Sequence, residues 1–432
     1  MTEGVALLIR GGRVIDPANR YDATADVLIV DGVIHAVGRF DAPAEARIID
    51  ADGLVVAPGL VDMHVHLREP GYEYKETIAG GAQAAAAGGV TSMACMPNTR
   101  PVLDDIGVVR FVLDRANDAL VNVFPIGAVT KGLRGKELTE MGLLQREGCV
   151  AFSDDGFPVM DSGVMRRALE YSRAFGALVI QHAEDTGLAG CGCMNEGLIA
   201  TRLGLPGIPS ESEEVMVDRD IRLARLTGGR YHVAHISTRG AVNAVEAAQK
   251  EGLPVTCEAA PHHFALTDEA IGDYDTNAKM APPLRSSDDR AAVLEALSRG
   301  SVSVIATDHA PHDLDSKRVE FCKAANGVVG LETMLPVSLE LVRDGVLDLS
   351  ACLATMTCNP SRLLGIDRGT LSEGRPADVV LFDPDESWTV RAERLHGSAR
   401  NTCFHGRRVK GRVKMSIVAG RVVFEDRPDV SF

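Results

Sequence analysis

The middle of the chain alternates between short apolar runs and longer stretches with polar and apolar residues at helical spacing. The apolar runs fall near 61–66, 90–96, 120–128, 149–153, 178–182, 231–236, 254–260 and 303–307, and each reads as a strand. Between them, 138–147, 163–175, 211–226, 241–250 and 289–297 carry the helical period, with Ser210 and Ser286 placed as N-caps. Eight strands alternating with helices predict an α/β fold, a (β/α)8 TIM barrel. Two long strand-to-helix connections, 184–210 and 309–329, are expected to be active-site loops or lids.

The two ends have a different texture. Residues 6–9, 27–30 and 33–37 read as short strands, with Asp31-Gly32 as a hairpin turn. Residues 378–382, 409–413 and 416–424 read likewise, with Gly411 and Gly420 at bends. The ends resemble each other, so one small β-sandwich domain from 1–54 plus 366–432 is expected beside a catalytic barrel over 55–365.

Composition narrows the function classes. The chain has 432 residues, 45% hydrophobic and 24% charged, enough for a barrel with an appended domain. Its net charge of -15 and lack of a long basic run argue against nucleic-acid and anionic-membrane binding. No apolar stretch nears the ~20 residues of a membrane span. Met1-Thr2-Glu3-Gly4 shows no basic region followed by an apolar core, so no signal peptide is expected. The nine cysteines are scattered, only Cys191 and Cys193 lie close, and reduced thiols in cytoplasm are expected.

In a barrel of this kind chemistry sits at the C-terminal ends of the strands. The first strand ends in His64 and His66, whose imidazoles share one strand face, followed by Arg68. Later strands end in Asn98, in Asp154-Asp155, in His182, in His235 and in Asp308 with His309 and His312. Four histidines and two aspartates on five strand ends form an N/O ligand set for one or two zinc-like ions. Two such ions require a bridging anion, which a carboxylate supplies. Asp154 and Asp155 cannot both point inward from one strand. His232 is expected to face away from the site as a structural residue, and His309 to support it from behind. His262 and His263 read as structural or supporting, and His35, His396 and His405 as surface residues.

Taken together, these motifs resemble the dihydroorotases of the amidohydrolase superfamily over nearly the whole chain. The stretches that carry the resemblance are Pro58-Gly59-Leu60-Val61-Asp62-Met63-His64-Val65-His66-Leu67-Arg68-Glu69-Pro70-Gly71, Met96-Pro97-Asn98-Thr99, Ser153-Asp154-Asp155-Gly156 and His182-Ala183-Glu184-Asp185. They continue through His235-Ile236-Ser237-Thr238, Lys279-Met280-Ala281-Pro282-Pro283-Leu284-Arg285, Ala306-Thr307-Asp308-His309-Ala310-Pro311-His312 and Gly327-Val328-Val329-Gly330-Leu331-Glu332-Thr333. The resemblance implies that His64, His66 and Asp308 hold a first zinc, and that His182 and His235 hold a second. It further implies that Asp155 bridges them, as in the long bacterial type. Arg68, Asn98 and His312 match residues that bind the substrate carboxylate, and Asn326 and Gly327 match a loop whose backbone contacts the substrate ring. Relatives often carry Asn where this chain has Ala281.

The implied activity is reversible cyclisation of N-carbamoyl-L-aspartate to L-dihydroorotate plus water, in pyrimidine biosynthesis, with Asp308 as general base and acid. The implied partners are the small-molecule substrate and a second copy or an aspartate transcarbamoylase. One alternative is another cyclic amidohydrolase, a hydantoinase or allantoinase. Those need no carboxylate grip and normally carry a bridging lysine, which the fourth strand lacks. The other is a catalytically silent homologue that partners a transcarbamoylase, but such a chain is expected to lose ligands retained here.

Overall fold

Eight parallel strands stand where the apolar runs predict them. They are Leu60–Val65, Val90–Cys95, Asn122–Gly127, Ala151–Ser153, Leu178–Gln181, Arg230–Val233, Val255–Ala259 and Val304–Ile305, hydrogen-bonded in sequence order. A parallel bridge joins Val65 to His309, and the His66 N–H donates to the His309 carbonyl at 2.8 Å, which ties the first strand to the segment just past the eighth. The first two strands are buried at every position, which is why the sequence shows unbroken apolar runs rather than strict alternation. The computed structural model describes residues 6–41 and 46–426; the Met1-Thr2-Glu3-Gly4 start and the final stretch of the expected β domain lie outside the described residues.

The five expected helices are Met141–Glu147, Ser162–Arg173, Glu211–Thr227, Arg239–Lys250 and Ser287–Arg299. Ser286 caps the last of these, its Oγ accepting from the Asp289 N–H at 3.2 Å. Ser210 does not cap: it already has helical angles (φ -58, ψ -33) and makes no side-chain cap bond. Glu211, Glu213 and Glu214 instead place negative charge at that helix N-terminus. The helices Ile78–Ala87 and Ile106–Ala116 were not foreseen. The first is rich in alanine and buried on several sides, so it lacks the polar stripe that signals a helix.

Strands from both ends of the chain form a second sheet. Its order is Arg421–Glu425, Arg408–Val418, Val379–Thr389, Val55–Pro58, Ala6–Asp16, Tyr21–Val30 and Val33–Gly38, and Arg47–Asp50 also pairs with Ala6–Asp16. The sheet is mixed: Ala6–Asp16 runs parallel to Arg47–Asp50 and Val55–Pro58 and antiparallel to Tyr21–Val30. Asp31 (φ 51) and Gly32 (φ 79) make the expected hairpin turn. Ala419 (φ 45) and Gly420 (φ 74) make another, splitting the 416–424 run into two paired strands. Ile9, Val27, Ile29, Val56, Val379 and Ile417 give this sheet its own core. Among the described residues no helix is long and apolar enough to cross a membrane.

The long connections are folded. The 184–210 loop carries the short helices Thr186–Ala189 and Leu198–Leu203, and the 309–329 loop carries Leu314–Lys317. Arg285, from the proline-rich motif, ties the former to the sixth strand end. It is buried and donates to Asn195 Oδ1 at 3.2 Å, to the Ile208 carbonyl at 3.2 Å and to Ser237 Oγ at 3.1 Å.

Candidate metal centre

The strand ends bring six of the expected ligands to one place. His64, His66, Asp155, His182, His235 and Asp308 all lie at 6% exposure or less, at the end of strands otherwise filled with apolar residues. Asp155 stands at their centre. Its Oδ1 lies 3.4 Å from His64 Nε2, 3.5 Å from His235 Nε2 and 3.7 Å from His182 Nδ1, and its Oδ2 lies 3.4 Å from His66 Nε2. Two ligand triads therefore share this carboxylate: His64, His66 and Asp155, and Asp155, His182 and His235. Asp308 Oδ1 joins the first triad, 3.1 Å from His66 Nε2 and 3.5 Å from His64 Nε2.

The donor set fits divalent metal. His64 Nε2 and Asp155 Oδ1 are buried without a hydrogen-bond partner, an arrangement that is costly unless something else satisfies them. Imidazole nitrogens with shared and terminal carboxylates are the ligands of zinc-type centres. The charges within the cluster also support one another. Burial works against ionising Asp155, yet the His64 charge and the close His182 and His235 imidazoles hold its carboxyl well below the usual range. Burial likewise opposes ionisation of Asp308, and His66 and His64 override it. Burial lowers His64, and Asp155 and Glu258 more than reverse this, lifting it well above an ordinary histidine.

Backbone strain concentrates here too. Arg68 (φ 63), His235 (φ 34) and Asp308 (φ 48) all have left-handed angles that non-glycine residues seldom adopt. The surrounding barrel holds them there, so that each side chain turns at the strand end toward the centre.

The neighbouring aspartate has a different task. Asp154 accepts from the Thr130 N–H at 2.9 Å and from the Thr130 hydroxyl, and burial pushes its carboxyl up to about 6. It braces the third and fourth strand ends and faces away from the triads, as the alternation of strand side chains requires.

A second layer orients the ligands, and most of it was missed in the sequence. His64 Nδ1 bonds Glu258 Oε1 at 2.5 Å, and Glu258 Oε2 lies 3.3 Å from His232 Nε2, whose Nδ1 meets Thr256 Oγ1 at 2.8 Å. This chain of contacts fixes the His64 ring with Nε2 toward the centre. His232 thus stands outside the ligand set, as expected, but braces Glu258 rather than serving the fold alone. Burial opposes the Glu258 charge, and the His64 charge and the His232 and His64 hydrogen bonds bring its carboxyl down to about 2. The available signal was a carboxylate within an otherwise buried strand, which demands a partner. His66 is fixed similarly: its Nδ1 bonds Asn98 Oδ1 at 2.9 Å.

The expected carboxylate-binding residues gather beside the first triad. Arg68 donates to the Pro311 carbonyl at 3.2 Å and lies 3.4 Å from His312 Nε2, but forms no ion pair among the described residues. Burial lowers its guanidinium to about 10. His312 Nε2 bonds the Asn326 carbonyl at 2.8 Å, and its Nδ1 faces Lys75 Nζ at 3.3 Å. Burial, Arg68 and Lys75 push His312 down to about 3, so its ring is neutral. Lys75 was not foreseen; it brings a second cation to the same place. Gly327 (φ 121) has no room for a side chain, since an added Cβ would sit 2.5 Å from Ala310 Cβ. Its carbonyl accepts from Asn401 Nδ2 at 3.0 Å. His309 braces the rim from behind, its Nδ1 accepting from the Gly330 N–H at 3.2 Å. His262 and His263 are buried at the end of the seventh strand, and His263 Nε2 bonds the Pro282 carbonyl at 3.1 Å. His35, His396 and His405 are at the surface.

Comparison with known proteins identifies the family. A family profile described as "Dihydro-orotase-like" matches residues 53–241, and an amidohydrolase family profile matches residues 323–424. A protein named dihydroorotase from Geobacter metallireducens is 52% identical over 421 residues, covering 97% of this chain and 99% of its own length. The chain belongs to the dihydroorotase family. Another family member, from Anaeromyxobacter dehalogenans, is 54% identical over 424 residues, covering 97% of this chain and 98% of the relative. Among solved structures, an L-hydantoinase (dihydropyrimidinase) from Arthrobacter aurescens superposes with TM-score 0.87 at 26% identity, covering 97% of this chain and 96% of that one. A dihydropyrimidinase from Brevibacillus agri does so with TM-score 0.85 at 25% identity, covering 98% and 95%. These structures share the dihydroorotase-family architecture of barrel plus terminal sheet.

Proposed function

We propose that this chain is a zinc-dependent dihydroorotase that interconverts N-carbamoyl-L-aspartate and L-dihydroorotate plus water. The observation that carries the substrate assignment is the half-buried Arg68 guanidinium with no ion-pair partner among the described residues, two residues beyond a metal ligand and beside neutral His312 and cationic Lys75. A cation drawn partly out of water without a counter-ion is disfavoured, and a substrate carboxylate relieves it. The planar guanidinium offers two parallel hydrogen bonds to such a group.

His64, His66 and Asp308 would hold one zinc, His182 and His235 a second, and Asp155 would bridge them. When bound, the metal lowers the pKa of water and polarises the amide carbonyl. Asp308 is ionised and lies at the rim of the first triad. In the hydrolytic direction its Oδ takes the proton from the attacking water and returns it to the ring nitrogen as the C–N bond breaks. In cyclisation the same oxygen accepts the proton from the carbamoyl nitrogen. Arg68, His312 and Asn98 hold the carboxylate, and the backbone of Asn326 and Gly327 lines the ring. Glu258 keeps the His64 ring in register. The same reading places the enzyme in the cytoplasm, alone as a dimer or with an aspartate transcarbamoylase.

A hydantoinase shares the architecture, but a plain hydantoin has no carboxylate to meet Arg68. Arg68→Met tests the difference, because it keeps much of the apolar stem and removes the charged fork. The kcat/KM for dihydroorotate should fall about 10²–10³-fold, the scale of breaking a buried ion pair, with metal content unchanged. Any activity on hydantoin should fall far less. An equal loss on both substrates would mean that Arg68 supports the fold of the site and grips no carboxylate.

A further inference from the structure

The two long loops that flank the centre meet through a pair of cysteines that the reaction does not use. Cys193 lies in the loop after the fifth strand, and Cys322 in the loop after the eighth, which also carries His312, Asn326 and Gly327. Their Sγ atoms are 2.6 Å apart. Even carbon atoms, smaller than sulfur, rest at about 3.5–4.0 Å when not bonded.

The approach is built into the packing. Cys193 belongs to a buried apolar cluster with Met194, Met280, Phe321 and Val328, which joins both loops. Lys279 Nζ donates to the Cys322 carbonyl at 2.9 Å and to the Ala324 carbonyl at 2.6 Å. Lys317 Nζ donates to the Ala325 carbonyl at 2.8 Å and the Gly327 carbonyl at 3.0 Å. The backbone around Cys322 is therefore anchored from beneath while the residue itself is exposed to solvent.

We propose that Cys193 and Cys322 form a redox-modification site, in which a small disulfide such as glutathione disulfide converts the two thiols into a bond that staples these loops. The exposed Cys322, as thiolate, attacks one sulfur of the oxidant and expels one thiolate. Cys193 then loses its proton and attacks Cys322 Sγ, forming the protein disulfide and expelling the second. Two electrons pass from the cysteine pair to the oxidant, which leaves as two thiols. This order follows from accessibility. It also follows from the Cys193 thiol, which burial and the neighbouring Cys322 push up to about 12. The closed loop spans more than a hundred residues, so the bond removes much freedom from the unfolded chain.

The test is to treat the metal-loaded enzyme with glutathione disulfide, alkylate, digest and map linkages by non-reducing mass spectrometry. The expected product is a Cys193–Cys322 linked peptide pair that dithiothreitol cleaves, with Tm raised by about 5 °C over the reduced enzyme. Cys193→Ala and the solvent-exposed Cys322→Ser should each lose both the link and the shift, and Cys191→Ser should keep both. A glutathione adduct that persists on Cys322, a Cys191–Cys322 link, or a Tm shift that survives in Cys322→Ser would overturn the proposal.

Discussion

Asp155→Ala should empty the metal centre and leave no measurable turnover, while Asp154→Ala should keep both metal and activity. The prediction follows from where the two adjacent carboxylates point. Asp155 is the one group common to both ligand triads, within 3.7 Å of four imidazoles. Removing it leaves those imidazoles crowded together, with ring centroids of His182 and His235 4.7 Å apart and of His64 and His235 5.2 Å apart, and no anion between them. Asp154 instead satisfies Thr130. Its loss should cost about 1–3 kcal/mol of stability, the scale of an unsatisfied buried donor, and little else. Metal content by elemental analysis, with thermal unfolding of both variants, separates the two effects. Metal loss in Asp154→Ala with retention in Asp155→Ala would show that the roles are reversed.

Asp308→Asn should lower turnover about 10²–10⁴-fold, the usual worth of a positioned general acid–base group, with the fold and most of the metal retained. Asparagine suits the test on two grounds. It tolerates the left-handed backbone that Asp308 adopts at φ 48, and its amide oxygen can still face a metal. What it cannot do is take a proton from water and return it to a leaving nitrogen. Steady-state rates together with metal stoichiometry decide the matter. Activity near that of the unmodified enzyme would remove Asp308 from the proton-transfer role.

The legible parts of this molecule are those governed by short-range pattern. Apolar runs such as Leu60–Val65 and Val90–Cys95 marked barrel strands because they are buried on both faces. Polar residues at the ends of those runs marked the centre, since a histidine or aspartate just past a buried strand needs a reason to be there. What the pattern could not carry was contact across the barrel. Glu258 reaches His64, and His232 reaches Glu258, from strands distant in sequence from the first, and Lys75 reaches His312 from a loop. The strained backbone at His235 and Asp308 was not legible either, because histidine and aspartate adopt such angles more often than most residues yet only at a small minority of their positions. Ile78–Ala87 was illegible for a different reason: a helix buried on several sides has no amphipathic period. Cys193 and Cys322 read as scattered thiols, since only the folding of two long loops brings them together.

The central claim is a metal-dependent reaction on a cyclic amide that carries a carboxylate. The most direct measurement is kcat/KM of the purified, zinc-loaded chain for L-dihydroorotate and for unsubstituted hydantoin, before and after chelation. Dihydroorotate should be preferred by more than about 10²-fold, the scale of a buried ion pair. Activity should be lost on chelation and restored by zinc. Equal or better turnover of hydantoin, or dihydroorotate turnover that survives complete removal of metal, would contradict it.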